Sequence, residues 1–252
     1  MPRREPPRQP PPVQRLRLSY SKLGVARFAS HRDFSRAFER ALRRAGVPMA
    51  YSSGFSPHPR ISYANSAPTS AASYAEYADI AVLEKLDPGQ LREDLNAALP
   101  DGFRVLRVVE RHRPALSDLL QVSDWAIDLG DVARPDLESA VRALLAADRV
   151  EVSRITRKGE RVFDARQAVL SAQVDDDGHV RVRVTHGTPL VRPDDVLAAL
   201  RVLRPGLGGE HPGLFTRLRQ GPLLSDGSVG DPLDVPDPSA AEDSSAPAGQ
   251  QG

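Results

Sequence analysis

The chain has 252 residues and no cysteine, which excludes disulfides, thiolate metal sites and any iron–sulfur cluster held by this chain alone. Hydrophobic residues make up 40%, enough for one large or two modest cores, and no apolar run approaches the ~20 residues that cross a bilayer. The net charge of +1 conceals an asymmetry: residues 1–63 hold 13 Lys/Arg against 3 Asp/Glu, whereas residues 225–252 hold 6 acids and no Lys/Arg.

A basic front half fits a polyanionic partner such as RNA. An arginine-rich genome would give the same bias, since Lys22, Lys85 and Lys158 are the only lysines. The start of the chain shows charge without a secretory apolar region, and with the missing cysteines this leads us to expect a cytoplasmic protein with no membrane association.

Residues 1–13 are rich in Pro and Arg and are expected to be a disordered or extended arm. Residues 15–20 alternate, with Leu16, Leu18 and Tyr20 on one strand face. A helix follows. Ser30 is a natural N-cap with Asp33 at capping-box spacing, and Phe34, Phe38, Ala41, Leu42 and Ala45 share one face. Gly46 and Pro48 stop it. Residues 49–53 and 60–64 read as strands around a stiff loop, 74–83 as a strand, 88–99 as a helix and 103–109 as a strand. This order is β-α-β-β-α-β, the ferredoxin-like pattern.

The second half repeats that order less regularly. Strands are expected at 125–129 and 150–155, with a helix at 135–147. Two more strands, 168–174 and 179–185, flank the turn Asp175-Asp176-Asp177-Gly178. A helix at 193–203 and a strand at 214–219 complete it. The expected fold is therefore α+β, two tandem ferredoxin-like (βαββαβ) domains at 14–113 and 124–224. Residues 114–123 would link them, and 225–252 would form a disordered acidic tail.

Three sets of residues carry candidate chemistry. Ser30-His31-x-Asp33 places an imidazole at a helix start, where the dipole opposes protonation; an ordinary cap explains the same residues. The loop Gly54-Phe55-Ser56-Pro57-His58-Pro59-Arg60 is stiffened by two prolines. There Phe55 suits base stacking and Arg60 suits a phosphate clamp. His31, Asp33 and His58 together form a candidate acid/base set or, as two histidines and a carboxylate, an alternative metal-ligand set. Arg36, Arg40 and Arg44 recur at i, i+4, i+8, a stripe that fits sequence-blind backbone contact and equally an ordinary solvated face. Lys158, Asp164 and Arg166 form a further charged patch, with Asp164 and Arg166 on one strand face as a plain ion pair or a binding element.

The stretches Arg27–Asp33, Glu39–Gly46 and Tyr51–Tyr63 resemble the signature of the radical-SAM-associated proteins, a bacterial family encoded beside or fused to a radical SAM enzyme. Asp164-Ala165-Arg166, Arg192-Pro193-Asp194 and Gly221-Pro222-Leu223 look like its later elements. The resemblance implies a radical SAM enzyme as partner, with S-adenosylmethionine and an iron–sulfur cluster in that partner and no cofactor in this chain. Two functions remain open. One is an accessory protein that presents tRNA or rRNA, with Arg27, Arg36, Arg40, Arg44, Tyr51, Phe55, Arg60, Lys158, Asp164 and Arg166 as contacts. The other is a stand-alone RNA-acting enzyme using His31, Asp33 and His58. Motifs of nucleotide-binding loops, GxSxG hydrolases and HExxH metalloproteases do not occur.

Overall fold

The computed structural model describes residues 8–111, 114–157 and 159–235. Strand β1 (Gln14–Lys22) leads through a single-turn helix into α1 (His31–Arg44), followed by β2 (Ile61–Tyr63), β3 (Ala72–Val82), α2 (Pro88–Ala98) and β4 (Phe103–Glu110). The short α3 (Leu116–Leu119) opens the second half. After it come β5 (Val122–Asp128), α4 (Arg134–Ala146), β6 (Glu151–Thr156), β7 (Gly159–Asp164), β8 (Val169–Val174), β9 (Val180–Thr185), α5 (Pro193–Leu203) and β10 (Leu214–Gly221).

The fold is α+β, organised on one large mixed sheet. Its strands run β4-β1-β3-β10-β5-β9-β8, with β2 beside β3; β6 and β7 form a separate hairpin. The two halves meet at a narrow seam, where β10 pairs with β3 in parallel through Thr216↔Ala72 and Arg217↔Ser73.

Alternation divides the faces of the first half. Leu16, Leu18 and Tyr20 of β1 and Ala78, Ile80 and Val82 of β3 pack under Phe34, Phe38 and Leu42 of α1 and Leu91 and Leu95 of α2. Tyr20 stacks on Phe34 with ring centroids 4.1 Å apart. On the opposite face Arg17 forms a buried bidentate pair with Asp79 at 2.8 and 3.1 Å. That face is sealed by Ala75, Tyr77, Leu116, Leu120 and Leu233. The second core lies under α4 and α5, around Trp125, Ile127, Leu137, Leu144, Val182 and Leu200. Ala67 and Ala71, from the first half, are buried in it.

Several expectations change. Residues 49–53 make only isolated bridges, Met49↔Val82 and Tyr51↔Pro59, because the Pro-rich loop interrupts a ladder. The expected linker holds α3 and the start of β5, and its Leu116, Leu119 and Leu120 are buried. Between α4 and α5 stand four strands rather than three. The extra one, β7, is mostly exposed and lacks a clear apolar alternation. Residues 225–235 of the expected tail are ordered, with Asp231 and Asp234 binding Arg107 at 2.8 and 2.7 Å and Leu233 joining a core, and the rest of the expected tail lies outside the described residues. Residues 8–13 form neither helix nor strand, and the Val13 N–H donates to the Val82 carbonyl at 2.9 Å.

Gly102 turns the chain into β4 with φ +87°, and a Cβ there would lie 2.6 Å from the Leu23 carbonyl oxygen and 2.7 Å from the Ala26 Cβ. Both the conformation and the clash oppose a side chain. Gly102→Ala should therefore destabilise the chain by at least about 1 kcal/mol, read as a lower midpoint of denaturant unfolding with an unchanged slope.

Candidate functional site

A cleft of ≈ 500 Å³ opens between the two halves. The first half contributes His31 and the segment 65–69; the second contributes Ser123, Trp125, His186, residues 190–194 and Arg217.

Its floor is a buried ionic and polar network. Arg217 of β10 is 3% exposed. Its Nη1 donates to Glu76 Oε1 of β3 at 2.9 Å and to the Asn65 carbonyl at 2.7 Å, and its guanidinium lies 4.6 Å from the Trp125 ring centroid. Glu76 also accepts from Ser73 Oγ at 2.5 Å and from the Ala67 N–H at 2.9 Å. Burial pushes the Arg217 guanidinium below its ordinary range, and Glu76 opposes that shift. Burial likewise lowers Lys22, whose Nζ donates to the carbonyls of Ala29 and Pro68 at 3.2 and 3.0 Å. Arg27 Nε donates to the Ser70 carbonyl at 2.8 Å. Side chains from both halves thus clamp residues 65–70, which form one wall. Asn65 and Ser70 bracket this strap in the left-handed region, at φ +46° and +78°.

His186 stands at the end of β9. Its Nδ1 lies 2.5 Å from the Leu120 carbonyl, which can only accept, so Nδ1 carries the proton. Nε2 then accepts from Ser123 Oγ at 2.6 Å and from Asn65 Nδ2 at 3.1 Å. Asn65 Nδ2 also donates to Gln220 Oε1 at 3.1 Å. Burial pushes His186 down to about 4; the Leu120 bond opposes that, and Arg217 adds to it. The imidazole is neutral at physiological pH and both nitrogens are engaged.

The residues singled out from sequence fall into separate places. His31 lies at the cleft, with Nδ1 3.1 Å from Ser66 Oγ and its ring edge-on to Tyr63 at 4.8 Å. Asp33 is spent on the capping box: its carboxylate accepts from the Ser30 N–H at 3.1 Å and Ser30 Oγ at 2.6 Å, which holds its pKa low. His58 sits exposed on the proline loop, its N–H donating to Ser52 Oγ at 3.0 Å, and it does not line the cleft. His31, Asp33 and His58 do not converge. Among the described residues, the group of three metal-capable side chains within ligand range is Asp175, Asp177 and His179, and Asp175 already pairs with Arg181.

Arg36, Arg40 and Arg44 are exposed along α1, and Arg44 donates to the Ala98 carbonyl at 3.2 Å. Tyr51 and Phe55 are exposed on the loop, where Arg60 Nε donates to the Tyr51 carbonyl at 3.1 Å. Lys158 lies outside the described residues. Asp164 and Arg166 do not share a strand face. The strand ends at Asp164, whose Oδ1 accepts from the N–H groups of Val150 and Arg166, so the chain turns there. Ala165 is buried, and Arg166 donates to the Val169 and Leu145 carbonyls at 2.8 and 3.2 Å.

Sequence reasoning missed Glu76 as a network member, Asn65, His186 and Arg217 as a network member. Their partners lie up to 155 positions apart. A buried-type strand such as β3 carrying Glu76 and Asp79 was the available signal, because a lone buried acid requires a cation.

Removing one member of the buried pair leaves the other unpaired. Arg217→Met should cost about 3–5 kcal/mol and Glu76→Gln a comparable amount, while the double variant should cost clearly less than their sum in denaturant unfolding. Additive losses would mean that the pair is not coupled. The His186 shift has a defined sign. An unfolded imidazole titrates near about 6.5 and the folded one near about 4. The unfolded chain therefore binds the extra proton in that window. Stability falls as pH drops through it, by up to about 3 kcal/mol from this group. His186→Asn should remove that part of the slope, so wild type and variant should converge in thermal midpoint as pH falls from about 6.5 to about 4. Parallel curves would refute the assignment.

Residues 15–193 match the family described as an uncharacterized protein conserved in bacteria (DUF2344). No curated protein gives a significant match. Among solved structures the chain is similar to an unknown protein from Galdieria sulphuraria, at 15% identity over 82% of this chain and 98% of that one, with a TM-score of 0.25. Among the described residues no helix is long and apolar enough to cross a membrane. The match spans most of the sequence, and the chain belongs to this bacterial DUF2344 family.

Proposed function

We propose that the chain is a cytoplasmic accessory protein that presents RNA to a radical SAM enzyme and performs no chemistry of its own. The observation that carries this reading is the exposed surface of the first half. Arg36, Arg40 and Arg44 face solvent along α1, and Arg36 and Arg40 join no salt bridge among the described residues. Phe55 is 74% exposed and Phe28 64% exposed, and Arg27 lies 5.7 Å from the Phe28 ring centroid. Exposed cations bind phosphates without reading sequence, and exposed aromatic rings supply stacking for unpaired bases. The radical SAM partner rests on the resemblance of Arg27–Asp33, Glu39–Gly46 and Tyr51–Tyr63 to proteins that accompany such enzymes. S-adenosylmethionine and the iron–sulfur cluster belong to that partner.

The strand orders support the reading of two ferredoxin-like repeats. The first half runs β4-β1-β3 with β2 outermost, and the second runs β10-β5-β9-β8, the same 4-1-3-2 order once the β6-β7 hairpin is treated as an insertion. Engagement of Asp33 in the helix cap, and the position of His58 outside the cleft that His31 lines, favour presentation over catalysis by these three groups.

RNA binding by the purified chain should fall steeply with salt. An Arg36/Arg40/Arg44→Ala variant should bind more weakly and flatten the plot of log affinity against log salt by about two units, as three lost phosphate contacts require. Binding no stronger than that of a charge-matched control would reject RNA as the ligand.

A further inference from the structure

We propose that the cleft between the halves binds a small phosphomonoester, seated with its phosphate between Arg217 and Arg192 at the amino end of α5. This inference does not rest on the RNA reading, which concerns the outer face of α1.

Four observations carry it. The cleft, at ≈ 500 Å³, lies within the ~300–1,000 Å³ of small-molecule sites and exceeds what a bare anion fills. Its floor holds a cation with donors to spare: both hydrogen bonds of Arg217 leave from Nη1, and its buried Nε has no partner. Glu76 balances the Arg217 charge and leaves the Arg217 Nε without a partner, so the excess positive charge for an anion comes from Arg192. The amino end of the 11-residue α5 reaches the same cleft through Arg192, Pro193 and Asp194, adding a second guanidinium and the positive end of a helix dipole.

The remaining wall selects among anions. Ser66 and Thr69 bring hydroxyls to the cleft, His31 stands beside Ser66, and the Ser123 hydroxyl is spent on His186. Two guanidinium groups and two hydroxyls offer more donors than the two oxygens of a carboxylate use, and suit the three terminal oxygens of a phosphomonoester. Asp194 is the opposing charge at the rim. Its carboxyl is pushed up by desolvation and by the neighbouring Asp195. Asn65 and Ser70 hold the strap in conformations that non-glycine residues seldom adopt, a form of strain that recurs at binding walls.

The test is calorimetric titration of the full chain with each of the four ribonucleoside 5′-monophosphates, with inorganic phosphate and with the uncharged nucleosides. At least one phosphate-bearing probe should bind, and its nucleoside should not. Arg192→Ala should weaken binding about tenfold, and Asp194→Asn should tighten it severalfold. Both residues are exposed at the rim, so these variants should fold. Arg217→Lys, which keeps the charge and loses the fork, should weaken binding further where circular dichroism shows it folded. A mononucleotide that outbinds inorganic phosphate places the organic body in the cleft; equal binding makes the phosphate alone the ligand and overturns the phosphomonoester. The proposal fails if no phosphate-bearing probe binds below about 10 mM, if nucleoside and nucleotide bind alike, or if binding ignores Arg192 and Asp194. Loss of RNA binding in the α1 variant would not affect this result.

Discussion

The pairing of Arg217 with Glu76 is the constraint on which the arrangement of the two halves depends. The parallel contact between β10 and β3 amounts to two residue pairs, too few for backbone hydrogen bonding alone to define the joint. At that joint a buried guanidinium meets a buried carboxylate, and each also grips the strap, Arg217 through the Asn65 carbonyl and Glu76 through the Ala67 N–H. Isolating either charge in this interior would cost several kcal/mol. A displaced or slipped seam is therefore penalised far more than the net worth of the pair itself. The ion pair acts as a specification of geometry. The stability of each half comes from its own apolar core.

The strap shows how this specification becomes a shaped surface. Ala67 and Ala71 enter the core of the second half, so residues of one half complete the packing of the other. Lys22, Arg27, Glu76 and Arg217 hold the intervening backbone through its carbonyls and one N–H. Once fixed, the strap stands opposite His186 and the start of α5, and the space between becomes the cleft. His186 is neutral because burial and the charge of Arg217 disfavour its protonated form, and its ring links Leu120, Ser123 and Asn65 from three segments. Its chemistry at neutral pH is structural.

What was legible in the sequence was local. Ser30, Asp33 and Gly46 marked the ends of α1 because caps act over three or four positions, and the capping box is present as read. Pro193 likewise announced the start of α5. Leu16, Leu18 and Tyr20 identified the buried face of β1, since alternation is a nearest-neighbour property. The hairpin β6-β7 was half missed because its second strand presents charged and apolar residues to solvent without a regular period. The ordered part of the tail was missed for a different reason. Its composition reads as disorder, yet Asp231 and Asp234 find Arg107, and Leu233 finds a core, through contacts over 100 positions away. The site was missed on the same ground: its histidine, its strap and its ion pair are assembled by topology, and no spacing within one segment reports them.

The charge asymmetry of the sequence acquires a structural meaning from this division. Basic residues of the first half separate into two populations. Arg17 and Lys22 are buried, Arg17 paired with Asp79 and Lys22 donating to backbone carbonyls, so they cannot serve a polyanion without dismantling the fold. Arg36, Arg40 and Arg43 lie on solvent, where the only nearby acid that pairs with them among the described residues is Glu39, at 3.8 Å from Arg43. Surface pairs of that length contribute little and dissolve in salt. Asp231 and Asp234 of the tail, in contrast, are drawn to Arg107 on β4, away from α1. The ordered negative charges thus leave the helix face open. An outer face that meets a polyanion and an inner cleft lined by Arg192 and Arg217 can therefore be occupied independently, because they draw on different arginines.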